Sequence, residues 1–147
     1  MKSEAAFEVR ERVRWADVDM AGIIYFGAYM RFVEIAESEY FRSLGFTYER
    51  FRELGILLPR VHLDIDFFKP ALLDDVLRLQ TRLVWVGVHS VRLKIDVLRD
   101  AGAEPVKLAA VTLVVSCVDG SHVSTPLPDP LARALRAQLV GACAPDT

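Results

Sequence analysis

The chain has 147 residues, with 18 Lys and Arg against 20 Asp and Glu for a formal net charge of −2, and 52% of it is apolar. That composition describes one globular domain over residues 1–147, long enough to bury roughly 70% of its unfolded surface without disulfides or a structural metal. Arginines scattered among acids exclude the clustered basic face that a nucleic-acid partner needs. The longest apolar run, Leu108 to Val118, is too short to cross a bilayer, and the acidic N-terminal residues do not read as a signal peptide. Cys117 and Cys143 show no disulfide or metal-ligand spacing, so the expectation is a cytoplasmic protein with no membrane partner, metal or cofactor.

Phe7 to Trp15 alternates apolar and charged residues, the period of a half-buried strand. Tyr29, Phe32, Val33, Ala36, Tyr40 and Leu44 then recur at helical spacing up to Gly45, which predicts one long amphipathic helix. A short helical turn is expected over Tyr48 to Leu54, ended by Gly55. Three alternating segments follow: Val61 to Phe68, stopped by Pro70; Leu77 to Trp85; and Val91 to Val97. Asp100-Ala101-Gly102 reads as a hairpin turn into Val106 to Cys117, which is apolar on both parities and so is expected to be the central strand, covered on both faces. Asp129 caps a last helix with Pro130 at its first position and Leu131, Leu135 and Leu139 as its stripe up to Gly141. Strand, long helix and then four antiparallel strands make an α+β fold whose other sheet face still needs cover, which points to a partner subunit.

The chemistry concentrates in Trp15-Ala16-Asp17-Val18-Asp19-Met20-Ala21-Gly22-Ile23-Ile24-Tyr25-Phe26-Gly27-Ala28-Tyr29, where two carboxylates precede a glycine turn and the start of the long helix. This stretch resembles the Asp-x-Asp-x-x-Gly signature, with its following tyrosines, of the 4-hydroxybenzoyl-CoA thioesterase family. Glu34-x-x-x-Ser38-Glu39 and Lys69-Pro70-Ala71-x-x-x-Asp75 extend the likeness over nearly the whole chain. The resemblance implies a hotdog fold, an antiparallel five-stranded sheet wrapped around one long helix, and hydrolysis of an acyl-CoA thioester at a groove between subunits of a homodimer or dimer of dimers.

It also implies that Asp19 acts as base or nucleophile, and that the backbone N–H of Phe26 is the donor to the oxyanion. Helix N-terminal amides suit that second task, because they have no partners of their own and carry the positive end of the helix dipole. Asp17 reads as a solvated or turn-stabilising carboxylate. Trp15, Gly22 and Tyr25 are expected at the substrate, with Trp15, Phe67 and Trp85 lining a pocket for the acyl group. Two features depart from relatives: Phe26 replaces a histidine that some of them carry, and Gly87-Val88-His89-Ser90 stands where some hold basic residues for CoA phosphates. His89 and Ser90 are left as candidates to touch the pantetheine arm. The missing basic residues keep an acyl-carrier-protein thioesterase as an alternative, beside a non-catalytic acyl-binding protein of the same fold.

Overall fold

The computed structural model of the protein describes residues 6–102 and 104–141, and Cys143 lies outside them. Among these residues the chain runs β1 (Phe7–Arg12), α1 (Tyr29–Ser43), α2 (Tyr48–Glu53), β2 (Ile56–Leu57), β3 (Arg60–Phe67), β4 (Val76–Val86), β5 (Ser90–Arg99), β6 (Val106–Ser116), β7 (Val118–Asp119) and α3 (Asp129–Gly141). Five strands form one antiparallel sheet in the order β1-β4-β5-β6-β3, and β2 pairs with β7 in a small second sheet.

Register decides which residues share a face. Val9, Leu79, Val97, Ala109 and Phe67 lie in one row across the five strands, and Phe7, Thr81, Ile95, Val111 and Ile65 lie in the next inward-facing row. Side chains alternate along each strand, so these rows make one apolar surface. α1 lies over it with Tyr29, Phe32, Val33, Ala36, Tyr40 and Phe41 buried, the spacing of three and four that puts residues on one side of a helix. The long helix ends where Gly45 takes a left-handed conformation (φ +91°), which its lack of a side chain permits. Thr47 then starts α2 by accepting the Arg50 N–H. α3 packs against β4, and its Leu131, Ala132 and Leu135 join the same core.

The expected sheet wrapped around one long helix is therefore present, with four corrections. β5, not β6, is the central strand; β6 lies between β5 and the edge strand β3. The other face of the sheet does not call for cover, because its rows read Glu8–Gln80–Asp96–Ala110–Asp66 and Arg82–Lys94–Thr112–Asp64. Arg78–Glu8 and Lys107–Asp96 ion pairs tie this charged face together. Small and β-branched residues on the second parity of β6 thus reflect fit to a pleated surface rather than burial on both sides. β1 stops at Arg12, three residues short of Trp15: the Val13 N–H still bonds the Asp75 carbonyl in register, but the Val13 carbonyl accepts from Asp74 instead of Asp75, which ends the ladder. The β4–β5 register shifts between Leu83 and Trp85, which sets Trp85 opposite the outward Arg92 instead of in the inward row. β2 and β7, two residues each, are too short to show any period in the sequence.

Candidate active site

Asp17 to Tyr25 folds back on itself. Tyr25 donates its N–H to the Asp17 carbonyl, Asp19 to Ile23, and Gly22 to Asp19, at 3.0–3.1 Å. This is a three-residue hairpin loop ending in a left-handed residue, and Gly22 (φ +74°) supplies it. Asp19 Oδ1 accepts the Ala21 N–H at 2.9 Å, which orients the carboxylate while leaving it exposed. The loop is docked by a bridge between Ile23 and Leu72 and by the Leu73 N–H on the Gly22 carbonyl. Gly22 therefore has a structural task beside any contact with substrate.

Asp17 is not the solvated residue that its loop position suggests. Only 3% exposed, it accepts the Arg14 N–H at 2.8 Å and holds Arg31, from the first turn of α1, with both carboxylate oxygens. Burial pushes its carboxyl up, but the bonds from Arg31 and the Arg14 amide outweigh that and hold it below the ordinary carboxylate range. Its turn-stabilising role stands.

A 3₁₀ turn, Phe26–Ala28, leads directly into α1. The Ala28 N–H bonds the Tyr25 carbonyl, whereas the Phe26 and Gly27 amides find no acceptor among the described residues. The Phe26 ring is 81% exposed, as is Trp15 at 82%, and Met20 and Phe68 are exposed as well. Of these residues Phe26 and Phe68 border a cavity of about 340 Å³, which opens between Ile24, Phe26, Tyr29 and the segment from Phe67 to Pro70. An oriented carboxylate, free helix-start amides and an apolar recess are thus gathered at one end of the sheet.

The structure does not bring the other candidates there within one chain. His89 and Ser90 form the β4–β5 turn, where the Gly87 N–H meets the Ser90 carbonyl at 2.8 Å. The Asp19 loop sits by the start of β4 and the end of β5, about 30 Å away along β5. Trp85 is at the turn end too, under Arg92 on the outward face, so a shared pocket of Trp15, Phe67 and Trp85 does not exist in the chain. Sequence reasoning missed a larger cavity, of about 620 Å³, between the C-terminal half of α1, α2 and the start of β3. Glu37 and Arg60 stand in its wall. The available signal was an acid inside an apolar stripe, because Glu37 lies four residues from both Val33 and Phe41. Among the described residues no cluster of His, Cys, Asp and Glu could hold a metal, and no helix is long and apolar enough to cross a membrane.

A family model for the thioesterase-like superfamily matches residues 13–135, from the end of β1 into α3. The chain belongs to the thioesterase-like superfamily. Within that superfamily it is 32% identical over 114 residues to the acyl-CoA thioesterase YbgC of Haemophilus influenzae, covering 77% of this chain and 81% of that protein. It is also 32% identical over 77 residues to a putative esterase of Aquifex aeolicus, a match that spans 60% of that protein's length. Among solved structures, a 1,4-dihydroxy-2-naphthoyl-CoA thioesterase from Synechocystis superimposes with a TM-score of 0.75 at 26% identity, over 89% of this chain and 96% of that one. The family and hotdog fold read from the Asp17-to-Tyr29 motif stand.

Proposed function

We propose that the protein hydrolyses an acyl-CoA thioester to the free acid and CoA. The observation that carries this reading is the exposed Asp19 carboxylate on a loop that runs, seven residues later, into the unoccupied Phe26 and Gly27 amides. A thioester is already an activated acyl group, so the protein has two tasks: to supply a nucleophile and to stabilise the carbonyl oxygen as it gains charge. Asp19 takes a proton from water as that water adds to the carbonyl carbon, or it adds directly and the resulting anhydride is hydrolysed. On either route the oxyanion rests on the Phe26 amide and its neighbour, and collapse expels the thiolate, which takes up a proton. The names of the YbgC relatives support the acyl-CoA substrate class.

Trp15 and Tyr25 flank the loop as contact surfaces for substrate, and Gly22 holds its shape. His89 and Ser90 reach the thioester only from a second copy, so this reading requires a homodimer or dimer of dimers. The free edge of β3 and the exposed apolar side chains of Phe26, Phe67 and Phe68 support such a contact. Release of free thiol from a panel of acyl-CoAs, set beside the same acyl groups on a carrier protein, tests the proposal. Turnover confined to carrier-protein esters would replace CoA as the substrate, and no turnover of either would leave an acyl-binding protein.

A further inference from the structure

The larger cavity has the features of a ligand site that the hydrolytic machinery does not account for. Its volume of about 620 Å³ falls within the about 300–1,000 Å³ of small-molecule sites. Phe41, Phe46, Phe51, Leu57 and Leu58 make its wall largely apolar. Into that wall is set an ion pair buried on its acidic side alone: Arg60 donates from Nε and Nη2 to the same Glu37 oxygen at 2.6 Å, and Glu37 is 6% exposed while the Arg60 side chain is 48% exposed. The other titratable groups lining the cavity are Arg42, which pairs with Glu39 at 3.3 Å, Tyr48 and His122.

The two cavities occupy opposite ends of β3. Arg60 borders the larger one and Phe67 the smaller, about 23 Å apart along an eight-residue strand. β3 is an edge strand with one side unpaired among the described residues. If it pairs antiparallel with the same strand of a second copy about a two-fold axis, the Arg60 end of each copy falls beside the Phe67 end of the other. The larger cavity of one copy then opens toward the Asp19 loop and the Phe26 amide of its partner.

We infer that this cavity receives the acyl group of the thioester, and that the Glu37–Arg60 pair restricts it to uncharged acyl groups. The inference rests on the thioesterase reading above. A carboxylate at the far end of an acyl chain would meet a guanidinium already committed to Glu37. To bind there it must displace Glu37 and strand that buried charge, or share the half-exposed guanidinium at close range with the buried Glu37 carboxylate, which repels it. Burial already pushes the Glu37 carboxyl above its ordinary value although Arg60 is bound to it, so the surroundings are unfavourable to a second carboxylate.

Hexanoyl-CoA and adipoyl-CoA differ by a terminal carboxylate at equal chain length and separate the alternatives. The wild type is expected to favour hexanoyl-CoA by 100-fold or more in kcat/KM. Glu37→Gln, which frees Arg60, should shrink that ratio at least tenfold through faster turnover of adipoyl-CoA. Leu58→Trp, which fills the cavity without touching the pair, should lower kcat/KM for hexanoyl-CoA at least tenfold more than for acetyl-CoA, and it serves if Glu37→Gln does not fold. Calorimetric binding of both esters to Asp19→Asn protein reads the same preference without hydrolysis, so absence of turnover in the wild type would overturn the thioesterase reading alone. Equal affinity for the two esters, or an unchanged chain-length profile in folded Leu58→Trp, would overturn the acyl pocket.

Discussion

Arg31 donates from Nε to Asp17 Oδ1 at 2.9 Å and from Nη2 to Asp17 Oδ2, so the first turn of α1 is tied to the base of the loop that carries Asp19. Asp17 also accepts the Arg14 N–H and, through its carbonyl, the Tyr25 N–H. Asp17 thus fixes both the Asp19 loop and its distance from the helix start.

Asp17→Ala should therefore cost stability, about 2 kcal/mol for the lost charged hydrogen bonds, a figure that already allows for the partial exposure of Arg31. The Asp17 carboxyl titrates below its unfolded value of about 3.9. Its contribution is present in full above that value and is lost as pH falls through the folded one. Chemical denaturation of wild type and Asp17→Ala at pH 7 and at progressively lower pH measures this. The gap between the two proteins should narrow in acid.

Asp19→Ala should leave stability nearly unchanged, since the side chain is exposed and its bond to the Ala21 N–H is local. Hydrolysis should fall by at least about 100-fold, the scale of a positioned acid or base. Thermal melting and thiol release on the same preparation separate the two effects. Near-wild-type turnover in the variant would remove Asp19 from the mechanism.

Mixing inactive subunits tests the shared site. Asp19→Asn and Leu58→Trp proteins, each impaired alone, should regain activity when co-refolded, because one of the two sites in a mixed dimer then has an intact aspartate facing an intact cavity. Sedimentation at micromolar concentration should show a dimer or tetramer. A fully active monomer would refute a site made by two copies.

The pH profile of kcat/KM should carry no limb near neutral pH from a histidine, because the turn into α1 offers Phe26 there and no ionisable side chain. His62 pairs with Asp64 on the outward face of β3, and His89 lies at the turn end of the sheet. Single replacement of His62, His89 or His122 should leave the shape of the profile intact. A neutral limb that vanished only in His89→Ala would make His89 a participant.

The sequence by itself determined the longer helices and strands and the fold class, and it gathered the candidate chemistry into one stretch. Alternation in β3, β4 and β5 and the three-and-four spacing of α1 are local patterns, and the Trp15-to-Tyr29 stretch concentrates its acids, turn glycine and helix start in fifteen consecutive residues. Tertiary structure decided everything that depends on pairing. Strand order put β5 rather than β6 at the centre, and a register shift beside Val84 turned Trp85 outward, since a one-residue slip moves a side chain to the opposite face. Composition could not distinguish Asp17 from Asp19, because burial follows from Arg31, fourteen residues along the chain. Nor could it join Glu37 to Arg60, which are 23 residues apart and meet only because α1 packs against the sheet that β3 borders.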